Sequence, residues 1–225
     1  MDASGFPKLI DIEGNFYDFM KMRKVRILDD AKDDVIVEEV AMVEDEKVRK
    51  AVKKVKMLDS DGKPKCLLSL NDEICIMHRA KHPCLLPLDS LAIIKDYTVL
   101  VMPLCSKGSI GGMLKTITRE QTSRYFIQIS CALRYLHENR VIHGDVKPDN
   151  VLVDSSDKAN LADFGHSRYL RSDTDFGQRW GGTKGFIAPE YFSDDGGFNM
   201  ILVSTHFYSL YKSRIVYFST KFFSV

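Results

Sequence analysis

A short loop with fixed spacing between its polar residues constrains the fold more than any other feature of this chain. Residues 143–150 read HGDVKPDN, so a lysine lies two residues after Asp145 and an amide five residues after it. Pro148 fixes one backbone angle and removes one amide donor, which predicts a rigid loop rather than a helix. Such a loop would hold an acid, a cation and an amide in a constant arrangement.

A second acid follows where the chain returns to the same place. An apolar run at 151–153, a polar turn and a second apolar run precede Asp163. This pattern predicts a β-hairpin. Because a hairpin brings its two ends together, four polar side chains should converge there: Asp145, Lys147, Asn150 and Asp163. Two carboxylates, a cation and an amide suit chemistry that combines a nucleophile, a phosphate and a metal ion.

The motifs together resemble the catalytic core of the protein kinases. Four segments occur in the order typical of that family: AVK at 51–53, HGDVKPDN at 143–150, DFG at 163–165 and GTKGFIAPE at 182–190. The resemblance covers roughly residues 25–200. It implies an α+β, two-lobed fold with a small β-rich N-lobe and a mainly helical C-lobe that is incomplete in this chain.

The resemblance also implies a role for each residue of the loop. Asp145 would accept the proton of a substrate hydroxyl, and Lys147 would neutralise the transferred phosphoryl group. Thr183 would bridge these two residues, while Asn150 and Asp163 would hold Mg²⁺ across the phosphates of ATP. A lysine two residues after the acid is typical of serine/threonine kinases rather than tyrosine kinases.

A predicted strand at 48–57 carries a candidate phosphate-binding lysine. Strand alternation puts Ala51, Lys53 and Val55 on one face. Ala51 and Lys53 match the AxK pattern of the third kinase strand, so the resemblance assigns Lys53 to the phosphates of ATP. The alternative is a basic, solvated strand, since several lysines flank this position. Two further strands are predicted before it, at 25–28 and 35–43.

A helix predicted over residues 67–80 carries a glutamate inside its apolar stripe. Leu70, Glu73 and Met77 share one face, and a buried glutamate is costly unless it is paired. By resemblance, Glu73 pairs with Lys53. The alternative is that Glu73 lies at the edge of the stripe and reaches water.

The segments that follow predict a hinge and a long helix. A buried strand at 98–102 leads to the residues that would contact adenine by resemblance, with Met102 as gatekeeper and Leu104 and Cys105 in the hinge. Thr118 and Gln121 form a capping box for a helix over 119–138. Its apolar stripe consists of Tyr125, Ile129, Ala132, Leu133 and Leu136.

One departure from the kinase pattern concerns the phosphate loop. No glycine occurs between Gly14 and Gly62. The expected glycine-rich loop is replaced at 35–45 by branched and acidic residues. We expect the bulky side chains to keep backbone amides away from the phosphates of ATP, and the acidic side chains to repel those phosphates. ATP binding should therefore be weak, and a pseudokinase that serves as a binding module is the second hypothesis.

A second departure is Gly144, which replaces the arginine usual before the catalytic acid. Because that arginine meets a phosphorylated activation loop, its absence suggests activity without such phosphorylation. The HGD sequence with a following asparagine also resembles the aminoglycoside and choline phosphotransferases, which gives a third hypothesis. The lysine of the loop, DFG and the APE sequence at 188–190 favour protein kinases.

The last 25 residues do not continue the kinase pattern. Residues 201–225 contain no acidic residue and are rich in aromatic ones. We therefore expect an N-terminal extension at 1–24, an N-lobe and hinge at 25–104, a partial C-lobe at 105–200 and a non-kinase tail, artefactual or from a truncated product. The chain as it stands is expected to be inactive.

Composition bounds the remaining function classes. A net charge of +1 gives no indication of a nucleic-acid or membrane surface, and the apolar content of 44% is that of a globular protein. The five cysteines form no C-x-x-C pair, which indicates a reducing compartment. A cytoplasmic or nuclear enzyme that acts on a protein substrate is expected; the sequence gives no oligomeric state.

Overall fold

The computed structural model describes residues 10–11, 14–32, 34–58, 68–170 and 182–186, with backbone alone at the ends of three of these segments. Within this part of the chain, none of the helices combines the length and apolar character needed to cross a membrane. The chain divides into two compact units. The first joins Met1–Leu68 to Pro87–Cys105, and the second joins Ser69–Leu86 to Ser106–Val225.

The first unit is a β-sheet with one short helix. Its described elements are β1 (Ile10–Asp11), α1 (Phe16–Phe19), β2 (Met22–Lys32), β3 (Val35–Met42), β4 (Arg49–Lys56), β5 (Ser90–Ile94) and β6 (Tyr97–Pro103). The strand order is β1-β5-β6-β4-β3-β2, in which β1 runs parallel to β5 and the other neighbours are antiparallel. The strands predicted at 35–43, 48–57 and 98–102 are present at slightly different bounds, and the one predicted at 25–28 is part of the much longer β2.

One face of this sheet packs on residues that precede the predicted lobe. Val52 on β4 and Val99 on β6 are fully buried in a cluster that includes Phe16 of α1. Burial of each such valine stabilises the fold by roughly 1.5–3 kcal/mol. Since successive side chains alternate between faces, Ala51 and Lys53 lie on the opposite face from Val52.

The second unit is built from helices and short strands. Its described elements are α2 (Leu68–Arg79, its first residue in the other unit), β7 (Gly108–Ser109), α3 (Ile110–Met113), α4 (Arg119–Glu138), β8 (Val141–Ile142), β9 (Val151–Val153), β10 (Ala159–Leu161) and β11 (Arg168–Tyr169). β9 pairs with β10 and β7, and β8 pairs with β11, all antiparallel.

Helix α4 begins and ends at the predicted residues. The Thr118 hydroxyl accepts from the backbone N–H of Gln121, and the Gln121 side chain accepts from the backbone N–H of Thr118, so both halves of the capping box form. The predicted apolar stripe is buried along its whole length, from Tyr125 to Leu136. This helix delivers the chain to β8 and the loop at 143–150.

The helix predicted over 67–80 is α2, and its stripe is buried as predicted. Leu70, Glu73 and Met77 are 7%, 4% and 3% exposed, so the glutamate is inside the stripe and not at its solvated edge. The loop at 143–150 differs in one detail, because Pro148–Asn150 form a single 3-10 turn. Proline favours this, since it is tolerated at the first position of a helical turn. The fold class is mixed α+β, as predicted.

Candidate active site

The side chains of the loop at 143–150 form a closed network around Asp145. Lys147 Nζ lies 2.8 Å from Asp145 Oδ2. It also donates to Thr183 Oγ1 at 2.6 Å, and the backbone N–H of Thr183 donates to Asp145 Oδ1 at 2.8 Å. The three residues predicted as catalytic are thus in mutual contact, although Thr183 is 36 residues from Lys147 in sequence.

Asn150 closes the network from the other side. Its Nδ2 donates to the backbone oxygen of Asp145 at 2.7 Å and to Asp145 Oδ2 at 3.0 Å. This leaves the Oδ1 carbonyl oxygen of Asn150 for a further partner, and an amide oxygen is a ligand that Mg²⁺ accepts. The donor set therefore fits the predicted metal role.

Asp145 is held as a carboxylate by these donors. It is only 4% exposed. Burial raises the pKa of its carboxyl, but hydrogen bonds from Lys147 and Thr183 outweigh burial and hold the pKa below its ordinary value. An ionised carboxylate has acceptor sites for about four hydrogen bonds, so Asp145 retains the capacity to accept a hydroxyl proton.

His143 braces the loop from beneath. Its side chain is fully buried, and its ring centre lies 5.1 Å from that of Phe164. Burial lowers the pKa of His143 to about 4, so the ring is neutral at pH 7. Nε2 lies 3.0 Å from the oxygen of Ala162, and Nδ1 accepts from the backbone N–H of Asp145 at 3.3 Å. The neutral tautomer with the proton on Nε2 satisfies both contacts.

The second acid, Asp163, lies on a strained turn at the end of the hairpin. It has φ +61°, in the left-handed region, and its side chain is exposed. A β-carbon on Gly165 would lie 3.4 Å from Asp163 Oδ1 and 3.7 Å from Glu73 Oε2. The two carboxylates thus flank the glycine of the DFG sequence.

The described residues contain no group of three or more His, Cys, Asp or Glu side chains suited to hold a metal. Mg²⁺ needs no such cage, since it is typically bound by one or two carboxylates together with substrate phosphates and water. Asn150 and Asp163 are consistent with that kind of site.

Several residues of the first unit that are predicted to contact ATP lie on the neighbouring strands β4 and β6. Ala51 on β4 is directly opposite Met102 on β6, and Lys53 is opposite Leu100. Met102 is buried, whereas Leu104 and Cys105 are half-buried beyond the end of β6. The pairing of Lys53 with Glu73 would join the two units and stays a prediction.

The acidic residues expected to replace the phosphate loop are placed differently. β2 ends at Lys32, Asp34 lies in a turn, and residues 35–42 form β3. Glu38 contacts Lys24 at 2.5 Å and Lys54 at 2.9 Å, and Glu39 contacts Arg26 at 2.7 Å. Cross-strand cations thus neutralise these carboxylates, contrary to the expectation that they face phosphates as free charges. Aspartates 29, 30, 33 and 34 instead flank the β2–β3 turn.

Comparison of the sequence with protein families shows which family the chain belongs to. The protein kinase domain model matches residues 37–210, which is more than half of the chain and extends past residue 200, where we expected the resemblance to end. The chain belongs to the protein kinase domain family.

Several curated kinases are similar to this kinase domain. NUAK family SNF1-like kinase 1 of Homo sapiens is 30% identical over 63% of the chain and 21% of its own length. Calcium-dependent protein kinase 6 of Plasmodium berghei is 29% identical over 68% of the chain and 10% of its own length. Serine/threonine-protein kinase Nek3 of Mus musculus is 27% identical over 64% and 28%. The chain therefore spans less than a third of each of these relatives. The predicted resemblance to the protein kinase family is confirmed, and the relatives include a serine/threonine-protein kinase.

Sequence reasoning missed one well-connected residue of the second unit, Asp157, at the turn of the β9–β10 hairpin. Side chains from outside the hairpin donate to it. In the sequence, Asp157 is only the last of four polar residues, DSSD at 154–157. Such a run predicts a turn, but it does not predict which side chains will bind Asp157. The APE sequence at 188–190 and the tail at 201–225 lie outside the described residues.

Proposed function

We propose that this kinase domain transfers the γ-phosphoryl group of ATP to a serine or threonine hydroxyl of a protein substrate. The observation that carries the proposal is the closed contact among Asp145, Lys147 and Thr183. It holds an ionised acid and a cation side by side, an arrangement suited to accepting a hydroxyl proton and offsetting the charge of a phosphoryl group. The family as a whole supports ATP and Mg²⁺ as cofactors.

Each residue has a distinct part in the proposed reaction. Asp145 orients the substrate hydroxyl and accepts its proton, an effect worth roughly 10²–10⁴-fold. Lys147 offsets the negative charge on the group in transfer. Asn150 and Asp163 would hold Mg²⁺, which would neutralise part of the phosphate charge. Lys53, held by Glu73, binds the upstream phosphates.

The proposal includes the division of the chain into an N-lobe at 25–104 and a C-lobe at 105–200. In it, Ala51 and Met102 line the adenine site, and Leu104 and Cys105 form the hinge. The contact of Lys147 with Thr183 favours protein kinases over the small-molecule phosphotransferases, because the latter class was suggested by Asp145 and Asn150 alone.

A pseudokinase is the second candidate, and one observation favours it. The turn between β2 and β3 carries aspartates in place of glycines. Backbone amides next to aspartate carboxylates are poor partners for phosphates, so nucleotide affinity would be low. Retention of Asp145, Lys147, Asn150 and Asp163 favours the enzyme.

Transfer of labelled phosphate from ATP to casein in the presence of Mg²⁺ tests the proposal. In a full-length version of the protein, we expect Asp145→Asn to reduce transfer by roughly 100-fold or more while ATP still binds, because the acid acts on the hydroxyl and not on the nucleotide. Lys53→Met should weaken both transfer and ATP binding.

The matched control is Asp96→Asn, which removes the same charge from the exposed turn between β5 and β6. It should retain wild-type transfer. Wild-type turnover in Asp145→Asn would contradict the assigned proton acceptor, and ATP binding without any transfer by the full-length version would support the pseudokinase.

A further inference from the structure

The carboxylate of Asp157 accepts hydrogen bonds from three side chains of α4 and from one side chain that precedes β7. Its Oδ1 accepts from Lys107 Nζ at 2.6 Å, from the Tyr125 hydroxyl at 2.7 Å and from Gln121 Nε2 at 3.4 Å. Its Oδ2 accepts from Arg124 Nη2. Two of the four donors are cationic, and charge-assisted hydrogen bonds are roughly twice as strong as neutral ones.

The turn itself does not need this carboxylate. The turn closes through the backbone bond from Asp157 N–H to the oxygen of Asp154, at 3.1 Å. The side chain of Asp154 accepts from the backbone N–H groups of Ser156 and Lys158, at 2.9 and 3.1 Å. Asp157 has φ +65°, a conformation that aspartate and asparagine tolerate better than other non-glycine residues. Its carboxylate is thus left for partners outside the hairpin.

Asp157 also satisfies a buried hydroxyl of helix α4. Tyr125 is 0% exposed, and a buried hydroxyl without a partner destabilises the fold. The Asp157 side chain is 24% exposed, so its bonds to Tyr125 and Lys107 are partly shielded from water. The contact therefore joins the core of the second unit to the turn of the hairpin.

The hairpin depends on such contacts because it is very short. Strands β9 and β10 have three residues each, and β7, which pairs with the other edge of β9, has only two. Strands this short are at or below the lower end of the usual range, so the backbone ladder alone contributes little stability. At the turn end, Gln128 Oε1 of α4 accepts from the N–H of Ala159 at 2.9 Å, and Asp157 adds its bonds with Gln121, Arg124 and Tyr125 of the same helix. At the other end, Asn150 immediately precedes β9 and Asp163 follows β10 closely. A change of tilt at the turn would displace both of these residues.

We propose that Asp157 is a positioning residue that ties the hairpin to α4 and thereby sets the spacing of Asn150 and Asp163 for Mg²⁺. The inference deepens the proposed function and rests on it for the identity of the metal. Asp157 lies at the turn of the hairpin, the end opposite to Asn150 and Asp163, so it would act on them through the hairpin.

Two substitutions separate the side chain from the backbone conformation. Asp157→Gly accepts the positive φ but removes every acceptor, and Asp157→Asn keeps the shape and one acceptor oxygen but removes the charge. We expect the Mg²⁺ concentration for half-maximal ATP binding to rise roughly 10-fold in Asp157→Gly, as is common when a residue that orients metal ligands is lost. Asp157→Asn should give a smaller rise.

Hydrogen exchange supplies a readout that needs no nucleotide. In the 225-residue chain, the amides of Ala159 and Ala162 should exchange faster in both variants than in the wild type. The matched control is Glu138→Gln at the other end of α4, where the exposed pair of Arg134 and Glu138 is 3.6 Å apart. It removes the same charge and should change neither exchange nor Mg²⁺ dependence.

The outcomes distinguish this inference from the proposed function. If the wild type binds MgATP and both Asp157 variants keep its Mg²⁺ dependence within twofold, the positioning role is wrong, even if their melting temperature falls. If the wild type binds no MgATP, the proposed function fails. In that case, faster amide exchange at Ala159 and Ala162 in the Asp157 variants would still support the tie between hairpin and helix. Unchanged exchange at these amides would contradict it.

Discussion

Gly144 shows how one residue can decide the geometry of the catalytic loop. It has φ +83°, and a β-carbon there would lie 2.4 Å from the carbonyl oxygen of His166. The chain after the DFG sequence is held close to the loop by further contacts, since Ser167 Oγ donates to the oxygen of His143 at 2.8 Å. The expectation, drawn from Gly144, that activity does not require phosphorylation stays a prediction.

Gly144→Ala should therefore destabilise the second unit beyond the ordinary cost of a positive φ. Gly108→Ala is the matched control, because Gly108 has φ +79° and nothing within 4 Å of a β-carbon. We expect the control to lose about 1–2 kcal/mol of unfolding free energy. Gly144→Ala should lose about 1–3 kcal/mol more, since the carbonyl of His166 has to move. Urea denaturation measures both, and equal losses would contradict the close approach.

At the scale of elements, sequence patterns predicted what local residues determine. Helix α4 has its capping box and its whole apolar stripe within 21 residues, so its bounds follow from Thr118 onward. The hairpin was predicted because its turn and strands are contiguous. The contacts of α1 were not predicted, because Tyr17 meets Glu38 and Lys54, which are 21 and 37 residues away. The role of Thr183 came only from the family pattern, which spacing alone does not encode.

The packing of α1 on the sheet centres on Glu38. Its carboxylate accepts from the Tyr17 hydroxyl and pairs with Lys24 and Lys54. Burial by itself raises the pKa of Glu38, but these three donors hold it below its ordinary value. Burial and the same carboxylate raise the pKa of Tyr17. Glu38 therefore ties the segment before β2 to the strand that carries Lys53.

Glu38→Gln should destabilise the first unit, because it removes the charge that two lysines share. We expect a loss of about 1–3 kcal/mol in unfolding free energy by thermal or urea denaturation. Glu44→Gln is the control, since Glu44 and its partner Lys21 are both exposed and the pair is screened by water. A loss in Glu38→Gln no larger than in the control would show that the cluster contributes nothing to stability.

At the scale of the whole molecule, the family match and the network of the second unit support the same account. A sheet bearing Ala51 and Lys53 and a second unit bearing Asp145, Asn150 and Asp163 are the parts that a kinase needs. The sequence predicted these parts by motif, and the structure confirms the elements that carry them. The aspartates at the β2–β3 turn are the main departure, and they bear directly on nucleotide affinity.

Calorimetric titration of the 225-residue chain with ATP, with and without Mg²⁺, tests the central claim most directly. The account predicts weak binding that requires Mg²⁺, because the sequence between β2 and β3 carries aspartates where the family pattern has glycines, while Asn150 and Asp163 are the proposed ligands of the metal. Asp163→Asn should abolish the ATP binding that is seen in the presence of Mg²⁺. Tight binding of ATP in the absence of metal, equal in the wild type and in Asp163→Asn, would contradict the account.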